Sequence, residues 1–499
     1  MEYISTRGYK NHITASSAIV SGIAPDGGLF VPRCIPVLSQ NEIIGLYKKN
    51  FQDIAFFIIK KFIPDIENED LKKCISQAYN SKSFDNPLIC PLRPLTDSIL
   101  MLELWHGPTC AFKDIALQLL PRLLTVSAKN LGDESTFVIL AATSGDTGKA
   151  ALEGFKDVPK TKVVVFFPQD GVSDIQKSQM VTQEGNNVHV IGVNGNFDHA
   201  QSGVKEIFAD KELLNTLAAK NMKLSSANSI NWGRLLPQIV YYFSSYMALL
   251  KSSHIKFGDK INVCIPTGNF GNIMAGYYAK KMGLPINKLI IATNQNDVLA
   301  RFVKTGVYDA SKDLKTTISP SMDILVSSNL ERLLFEASGH DSEKVLELMN
   351  SLKQNRSYKV DKEIFSFIRE DFYADYATEK STLKSIKNVF RNYKYVVDPH
   401  TAVGLHVYNK YVKKTEDHTL TIIASTASPY KFNRSVINAL NKKAQSFENK
   451  DEFELLNILS ATTKTLVPKP LKHLASKPVL HNTVCEKDEM KKVLEKILE

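Results

Sequence analysis

The stretch that decides the fold is Glu103-Leu104-Trp105-His106-Gly107-Pro108-Thr109-Cys110-Ala111-Phe112-Lys113-Asp114, continued by Ile115-Ala116-Leu117-Gln118-Leu119-Leu120. The apolar run from Ile99 to Leu104 has the character of a strand and ends in a Gly-Pro turn; after Lys113 the apolar residues recur at helical spacing. One lysine therefore stands where strand gives way to helix. A primary amine in an apolar wall is disfavoured in its charged form, so its pKa falls toward neutrality, as a base or Schiff-base former requires. An ordinary lysine of a first helical turn, with its charge reaching water, explains the same residues, and perturbed lysines are the rarer kind. The company this lysine keeps elsewhere in the chain decides between the two.

Outward from it, strands alternate with helices, the signature of a parallel sheet covered on both faces. Strand-like runs fall at Phe137 to Ala142, Lys162 to Phe167, Ile261 to Ile265 and Leu420 to Ala424, with two more around Val188 to Val193 and Leu289 to Ala292. Ligands of such sheets gather at the carboxyl ends of strands, so the loops that follow them are where chemistry is expected. Three stand out. Thr143-Ser144-Gly145-Asp146-Thr147-Gly148-Lys149 presents amides and hydroxyls to an anion at a helix start. It is a poor nucleotide P-loop, because Thr143 and Ala150 occupy the positions where that motif needs Gly and Ser or Thr. Pro266-Thr267-Gly268-Asn269-Phe270-Gly271-Asn272 precedes another helix, and its glycines allow close approach to a phosphate or serve turn geometry alone. Ser425-Thr426-Ala427-Ser428-Pro429-Tyr430-Lys431-Phe432 offers hydroxyls to a heteroaromatic nitrogen or to the cap of the next helix.

The first 95 residues read as a mostly helical N-terminal domain. A capping box at Ser39 and Glu42 leads into Ile43, Leu46, Tyr47, Ile54, Phe57 and Ile58 at helical spacing, and the domain closes at a linker from Pro87 to Pro94. The sheet signal fades between Val298 and Phe390, where Glu343 to Lys353 and Lys362 to Arg391 read as helices of an insertion. The expected division is 1–95, a lysine segment at 96–135, a small α/β domain at 136–250, a large domain at 251–440 with its insertion at about 300–390, and a C-terminal segment at 441–499.

Composition narrows the function classes. With 43% hydrophobic and 23% charged residues the chain is an ordinary globular one, and 499 residues imply several domains. The net charge of +10 comes from scattered lysines and arginines rather than a basic stripe, so no nucleic-acid partner is expected. The six cysteines form no CxxC pair and the eleven histidines no metal-binding spacing, so reduced thiols and no metal are expected. No apolar run suits a signal peptide or a membrane span, which points to a cytoplasmic protein.

A lysine, a glycine cradle on another strand and a hydroxyl at a third strand end are together what pyridoxal 5'-phosphate requires. In this order, Tyr3-Ile4-Ser5-Thr6-Arg7-Gly8, the run from Gly22 to Pro32, His106-Gly107-Pro108-Thr109 with Ala111-Phe112-Lys113-Asp114, Ser144 to Gly148, Ser229-Ile230-Asn231-Trp232-Gly233-Arg234, Gly268 to Asn272, and Asp398-Pro399-His400-Thr401-Ala402-Val403-Gly404 form a specific set. Over almost its full length the chain resembles the threonine synthase family, of the fold-type II pyridoxal phosphate enzymes related to the tryptophan synthase β-subunit. The resemblance implies an α/β fold with parallel sheets covered by helices in a large and a small domain. It makes Lys113 the Schiff-base lysine and mobile acid/base, sets the cofactor phosphate on Gly268, Asn269, Phe270, Gly271 and Asn272, and sets the ring nitrogen against Thr426. It turns the loop Thr143, Ser144, Gly145, Asp146 and Thr147 toward the substrate carboxylate, with Asn231, Arg234, His400 and Thr401 as further substrate candidates. Ser428 stands where many members have histidine, so no role is carried over for that imidazole.

The implied reaction converts O-phospho-L-homoserine and water to L-threonine and phosphate, by γ-elimination and β-addition, in a monomer or weak homodimer. Two rivals stand beside it. A phospho-lyase or dehydratase would use the same lysine and release a 2-oxo acid; a non-catalytic nucleotide- or nucleic-acid-binding protein would keep the loops without bound cofactor.

Overall fold

Strands that read as unbroken apolar runs are buried on both faces, and two sheets of such strands form the interior. The computed structural model describes every residue except 144, 170, 171, 442–446 and 448. The larger sheet has six strands in the order Phe372–Tyr376, Ile286–Thr293, Ile261–Pro266, Thr421–Ser425, Ile99–Glu103 and Leu92–Thr96, parallel except for the last pair. The smaller has five parallel strands, Val484–Cys485, Val188–Val193, Thr161–Pro168, Thr136–Ala142 and Met222–Ser225. The three strands whose following loops carry the candidate chemistry, Ile261–Pro266, Thr421–Ser425 and Ile99–Glu103, are neighbours in the centre of the larger sheet. Because they run parallel, all three loops leave from one edge.

The smaller sheet is docked onto the larger through helix packing. Helix Lys113–Asn130 contains Pro121, which has no N–H to give the Leu117 carbonyl four residues earlier. Helix Asp146–Phe155 of the smaller sheet crosses at that carbonyl through Gly154, where a Cβ would lie only 1.9 Å from the Leu117 oxygen. The close crossing sets the start of the second helix, with Asp146, beside the start of the first, with Lys113.

At the N-terminus, Tyr3–Ser5 and Phe30–Pro32 pair antiparallel and helices follow. The capping box forms, Ser39 Oγ accepting from Glu42 N at 3.2 Å and Glu42 Oε2 from Ser39 N at 2.9 Å. The helix it starts, Gln40–Ile44, stops at Gly45, and the apolar spacing resumes in a separate helix, Phe51–Phe62, capped by Asn50.

The structure adds strands that the sequence reading lacks: Met222–Ser225, the antiparallel pair Val307–Asp309 with Ser357–Lys359 inside the insertion, and two edge strands of the larger sheet. The linker expected from Pro87 to Pro94 runs into the edge strand Leu92–Thr96, the antiparallel position in which a proline is tolerated. The helical stretch expected from Lys362 to Arg391 is two helices, Lys362–Asp371 and Glu379–Tyr393, separated by the opposite edge strand Phe372–Tyr376. Among the described residues no helix is long and apolar enough to cross a membrane.

Candidate active site

Lys113 is the first residue of its helix, and its neighbours fix it from both sides. Phe112 N donates to the Thr426 carbonyl at 2.8 Å, Ser428 N to the Cys110 carbonyl at 3.0 Å, and Ala111 pairs with Ala427, so the lysine turn and the Thr426 loop are laced together. Beneath them Asp114, fully buried, accepts from Thr109 N at 2.9 Å and Thr109 Oγ1 at 2.6 Å. Burial, opposed by these hydrogen bonds, raises its carboxyl to about 6.

The lysine's amine has two partners, Ser321 Oγ at 3.4 Å and Asp146 Oδ2 at 3.5 Å, and its side chain is 11% exposed. Desolvation lowers its pKa, Asp146 opposes this, and the nearby charges of Lys431 and Arg234 add to the lowering. The buried, perturbed amine expected from the sequence is therefore present. Asp146 also receives Lys431 Nζ at 2.6 Å and Gln176 Nε2 at 3.0 Å. Despite burial, the two ammonium groups hold its carboxyl well below the usual carboxylate range. Lys431 itself is fully buried and donates to the Thr109 carbonyl at 2.9 Å.

The glycine loop lies on the other side of Ser321. At Gly268 a Cβ would sit 2.5 Å from the Ser321 carbonyl oxygen, so only glycine fits under that turn. Phe270 holds a left-handed conformation, φ 62° and ψ 0°, uncommon for an aromatic residue, with its ring buried and 6.1 Å from that of Phe372. The turn starts helix Gly271–Lys281 with no side-chain cap, leaving its first amides open to an anion. Asn272 accepts at Oδ1 from Tyr241 OH at 2.7 Å and from Tyr242 OH, while its Nδ2 is buried without an acceptor.

Three comparisons with known proteins bear on the family and the fold. Residues 2–79 match the model for the threonine synthase N terminus, 91–361 that for pyridoxal-phosphate-dependent enzymes, and 401–495 that for the threonine synthase C-terminal region. Threonine synthase of Schizosaccharomyces pombe is 40% identical over 470 residues, covering 88% of this chain and 90% of that protein. The chain belongs to the threonine synthase family. It is also 41% identical to human threonine synthase-like 1, over 89% of this chain and 60% of that protein. Among solved structures, the pyridoxal-phosphate-bound threonine synthase from Brucella melitensis superposes with a TM-score of 0.88 at 36% identity, covering 100% of this chain and 98% of that one. The yeast enzyme gives 0.87 at 37%, with the same coverage.

The threonine synthase family works with pyridoxal phosphate, and the residues present fit that group. The unpartnered Asn272 Nδ2 and the uncapped helix start are buried donors that lack acceptors within the protein. A phosphate supplies acceptors of that kind. At the opposite end, Thr426 N donates to Thr401 Oγ1 at 3.3 Å, which keeps this loop in place.

The remaining sequence candidates fall in different places. Thr143 is buried and turned into its own loop, its hydroxyl accepting from Gly145 N at 3.0 Å and Gly148 N at 2.9 Å. Thr147 is half-buried, and Ser144 lies outside the described residues. Asn231 caps helix Trp232–Lys251, accepting from Gly233 N at 2.8 Å and donating to the Ile19 carbonyl at 2.9 Å. Arg234 donates to the Ala227 carbonyl. Thr401 donates to Asp398. His400 lies between Asp398 and Ser321, and Ser428 is buried and caps the short turn Pro429–Phe432. Sequence reasoning missed Ser321, and it quoted Lys431 without a role. The single available signal was Ser319-Pro320-Ser321, a turn motif inside a region read as helical.

Proposed function

We propose that the chain converts O-phospho-L-homoserine and water to L-threonine and inorganic phosphate. One observation carries the reading: the amine of Lys113 and the open amides of the Gly268–Asn272 loop meet across the single turn at Ser321. Such a juxtaposition suits a proton carrier working beside an anion cradle.

When bound, pyridoxal phosphate supplies an electron sink for charge developing at the substrate's α and β carbons. Gly268, Asn269, Phe270, Gly271 and Asn272 would hold its phosphate, and Thr426 would face its ring nitrogen. Lys113 carries the protons. Its neutral amine can take a proton from Cα and, once discharged, from Cβ, and its charged form can return protons at Cγ and at Cα, so an amine whose pKa burial lowers serves both directions. Phosphate departs from Cγ, the hydroxyl of water adds at Cβ, and its remaining proton leaves with the phosphate. Arg234, with a buried Nε lacking an acceptor, suits the substrate's own phosphate. Asp146 favours the charged form of Lys113 against the effect of burial, so its displacement on binding an anionic substrate would free the amine as a base. Gly145, Asp146 and Thr147, at the start of a helix of the smaller sheet, would shield the bound group from bulk water.

Incubation with O-phosphohomoserine tests the reading. Threonine and phosphate in equal amounts are expected; 2-oxobutyrate in place of threonine would establish the lyase, and no product with no visible cofactor absorbance would favour the non-catalytic reading. We also read the chain as a cytoplasmic monomer or weak homodimer, which fractionation and sedimentation measure directly.

A further inference from the structure

Lys113 has two partners of different chemistry, and only one of them suits both of its protonation states. The carboxylate of Asp146 can only accept hydrogen bonds, so it favours the ammonium. The hydroxyl of Ser321 accepts from an ammonium and donates to the lone pair of a neutral amine. The two also belong to different bodies: Asp146 begins a helix of the smaller sheet, whereas Ser321 sits in the turn Pro320–Met322, packed on the glycine loop of the larger one.

That turn is held from two sides. On one, Asn294 Nδ2 donates to Ser319 Oγ at 3.0 Å and Asp323 Oδ1 at 2.6 Å, and Thr317 N donates to Asp323 Oδ2 at 2.8 Å. On the other, Ser321 N donates to His400 Nε2 at 3.3 Å. A ring nitrogen that accepts carries no proton, so the proton is on Nδ1, which lies 2.7 Å from Asp398 Oδ2. Asp398 is fully buried, and its other oxygen takes Thr401 N at 3.2 Å and the Thr401 hydroxyl. Thr401 in turn accepts from Thr426 N. One helix start, Asp398-Pro399-His400-Thr401, thus ties the Thr426 loop to the turn that faces Lys113.

We propose that Ser321 is a further catalytic residue of this site: its hydroxyl holds the ε-amine of Lys113 whenever that amine is not bound to the cofactor, with Asp398 and His400 positioning the turn that carries it. The proposal rests on Lys113 being the proton carrier, and it predicts an effect visible without substrate.

The test starts from cofactor-free protein and follows uptake of added pyridoxal phosphate by visible absorbance, for wild type, Ser321→Ala and Ser321→Thr. Losing a hydrogen bond to a charged or reacting amine should slow the attachment rate of Ser321→Ala about ten- to a hundredfold. Its equilibrium cofactor affinity should fall far less than that of a variant carrying a bulky residue at Gly268. Ser321→Thr keeps the hydroxyl at a position that is only half-buried, so its attachment rate should stay within about threefold of wild type. With O-phosphohomoserine, kcat of Ser321→Ala should fall with the attachment rate while KM changes little. Attachment and turnover of Ser321→Ala at wild-type rates would overturn the proposal, as would a loss of cofactor affinity as large as at Gly268, which would make Ser321 part of the phosphate cradle alone. A wild-type protein that attaches cofactor but makes no threonine would sink the substrate assignment and leave the attachment rates to judge Ser321.

Discussion

Gly268 and Gly271 share one loop, yet a methyl group at each meets different surroundings. At Gly268 a Cβ would lie 2.5 Å from the Ser321 carbonyl oxygen, a backbone atom that cannot rotate away. Relief to even a tight contact requires the Pro320–Met322 turn to shift by about half an ångström, and overpacking of this kind costs about 1–3 kcal/mol. At Gly271, already the first residue of a helix, the nearest atoms would be 3.6–3.9 Å away, ordinary contact distances. Alanine there should gain about 0.4–1 kcal/mol by stiffening the unfolded chain. Calorimetric melts of the cofactor-free proteins should therefore separate, with Gly268→Ala below wild type and Gly271→Ala level with it or above. The shifted turn also pulls the Ser321 hydroxyl away from Lys113 and disturbs the loop amides. Gly268→Ala should accordingly need about tenfold more pyridoxal phosphate for half-saturation, a loss near 1.4 kcal/mol, read by visible absorbance. A Gly268→Ala protein that melts with wild type and binds cofactor equally well would show that the turn yields freely, and the rigid contact between loop and turn would be refuted.

Lys113→Ala should lower turnover by about a hundredfold or more and abolish borohydride-fixable cofactor, while circular dichroism stays native; retained activity would remove the lysine from the chemistry. Asp146→Asn leaves Lys431 fully buried with an amide where it had a carboxylate, and breaking a buried pair costs about 3–5 kcal/mol. Denaturant unfolding should register that loss, and adding Lys431→Met should recover much of it. His106 is partly desolvated, which lowers its pKa, but its hydrogen bonds to Asp85 at 2.6 Å and Glu103 at 2.9 Å prevail and raise it to about 9. Its folded pKa exceeds the unfolded 6.5, so its stabilisation is complete below about 6.5 and disappears as pH rises through 9; the shift corresponds to about 3 kcal/mol. The melting-temperature gap between wild type and His106→Gln should narrow from pH 6.5 to pH 9.5, and a constant gap would count against the charged histidine.

Much of the fold was legible in the chain because buried parallel strands advertise themselves. Phe137 to Ala142 is apolar on both faces and Ile261 to Ile265 is interrupted only by Asn262, and both are β-branched enough to be read without a partner in view. The two edge strands of the larger sheet were not. Leu92–Thr96 carries exposed residues and Pro94, and Phe372–Tyr376 lies between two amphipathic helices with the charged Asp375 within it, so neither is the unbroken apolar run that makes a strand visible. Asn231 shows the same limit for a side chain: its type suits a polar contact with substrate, and its place before Trp232 makes it the cap of a helix.

The sequence by itself determined the local chemistry: a lysine at a strand-to-helix turn, a glycine loop before an uncapped helix, and hydroxyls at a third strand end, each set by neighbours a few residues away. Only the tertiary structure decided which groups surround the amine. Asp146 and Ser321 reach Lys113 from 33 and 208 positions along the chain, and Lys431 reaches Asp146 from 285. Such pairings leave no periodicity in the sequence, because they follow from the order of parallel strands and from one close helix crossing at Gly154. The sequence supplies an amine that could be perturbed, and burial beside chosen partners determines how far it is.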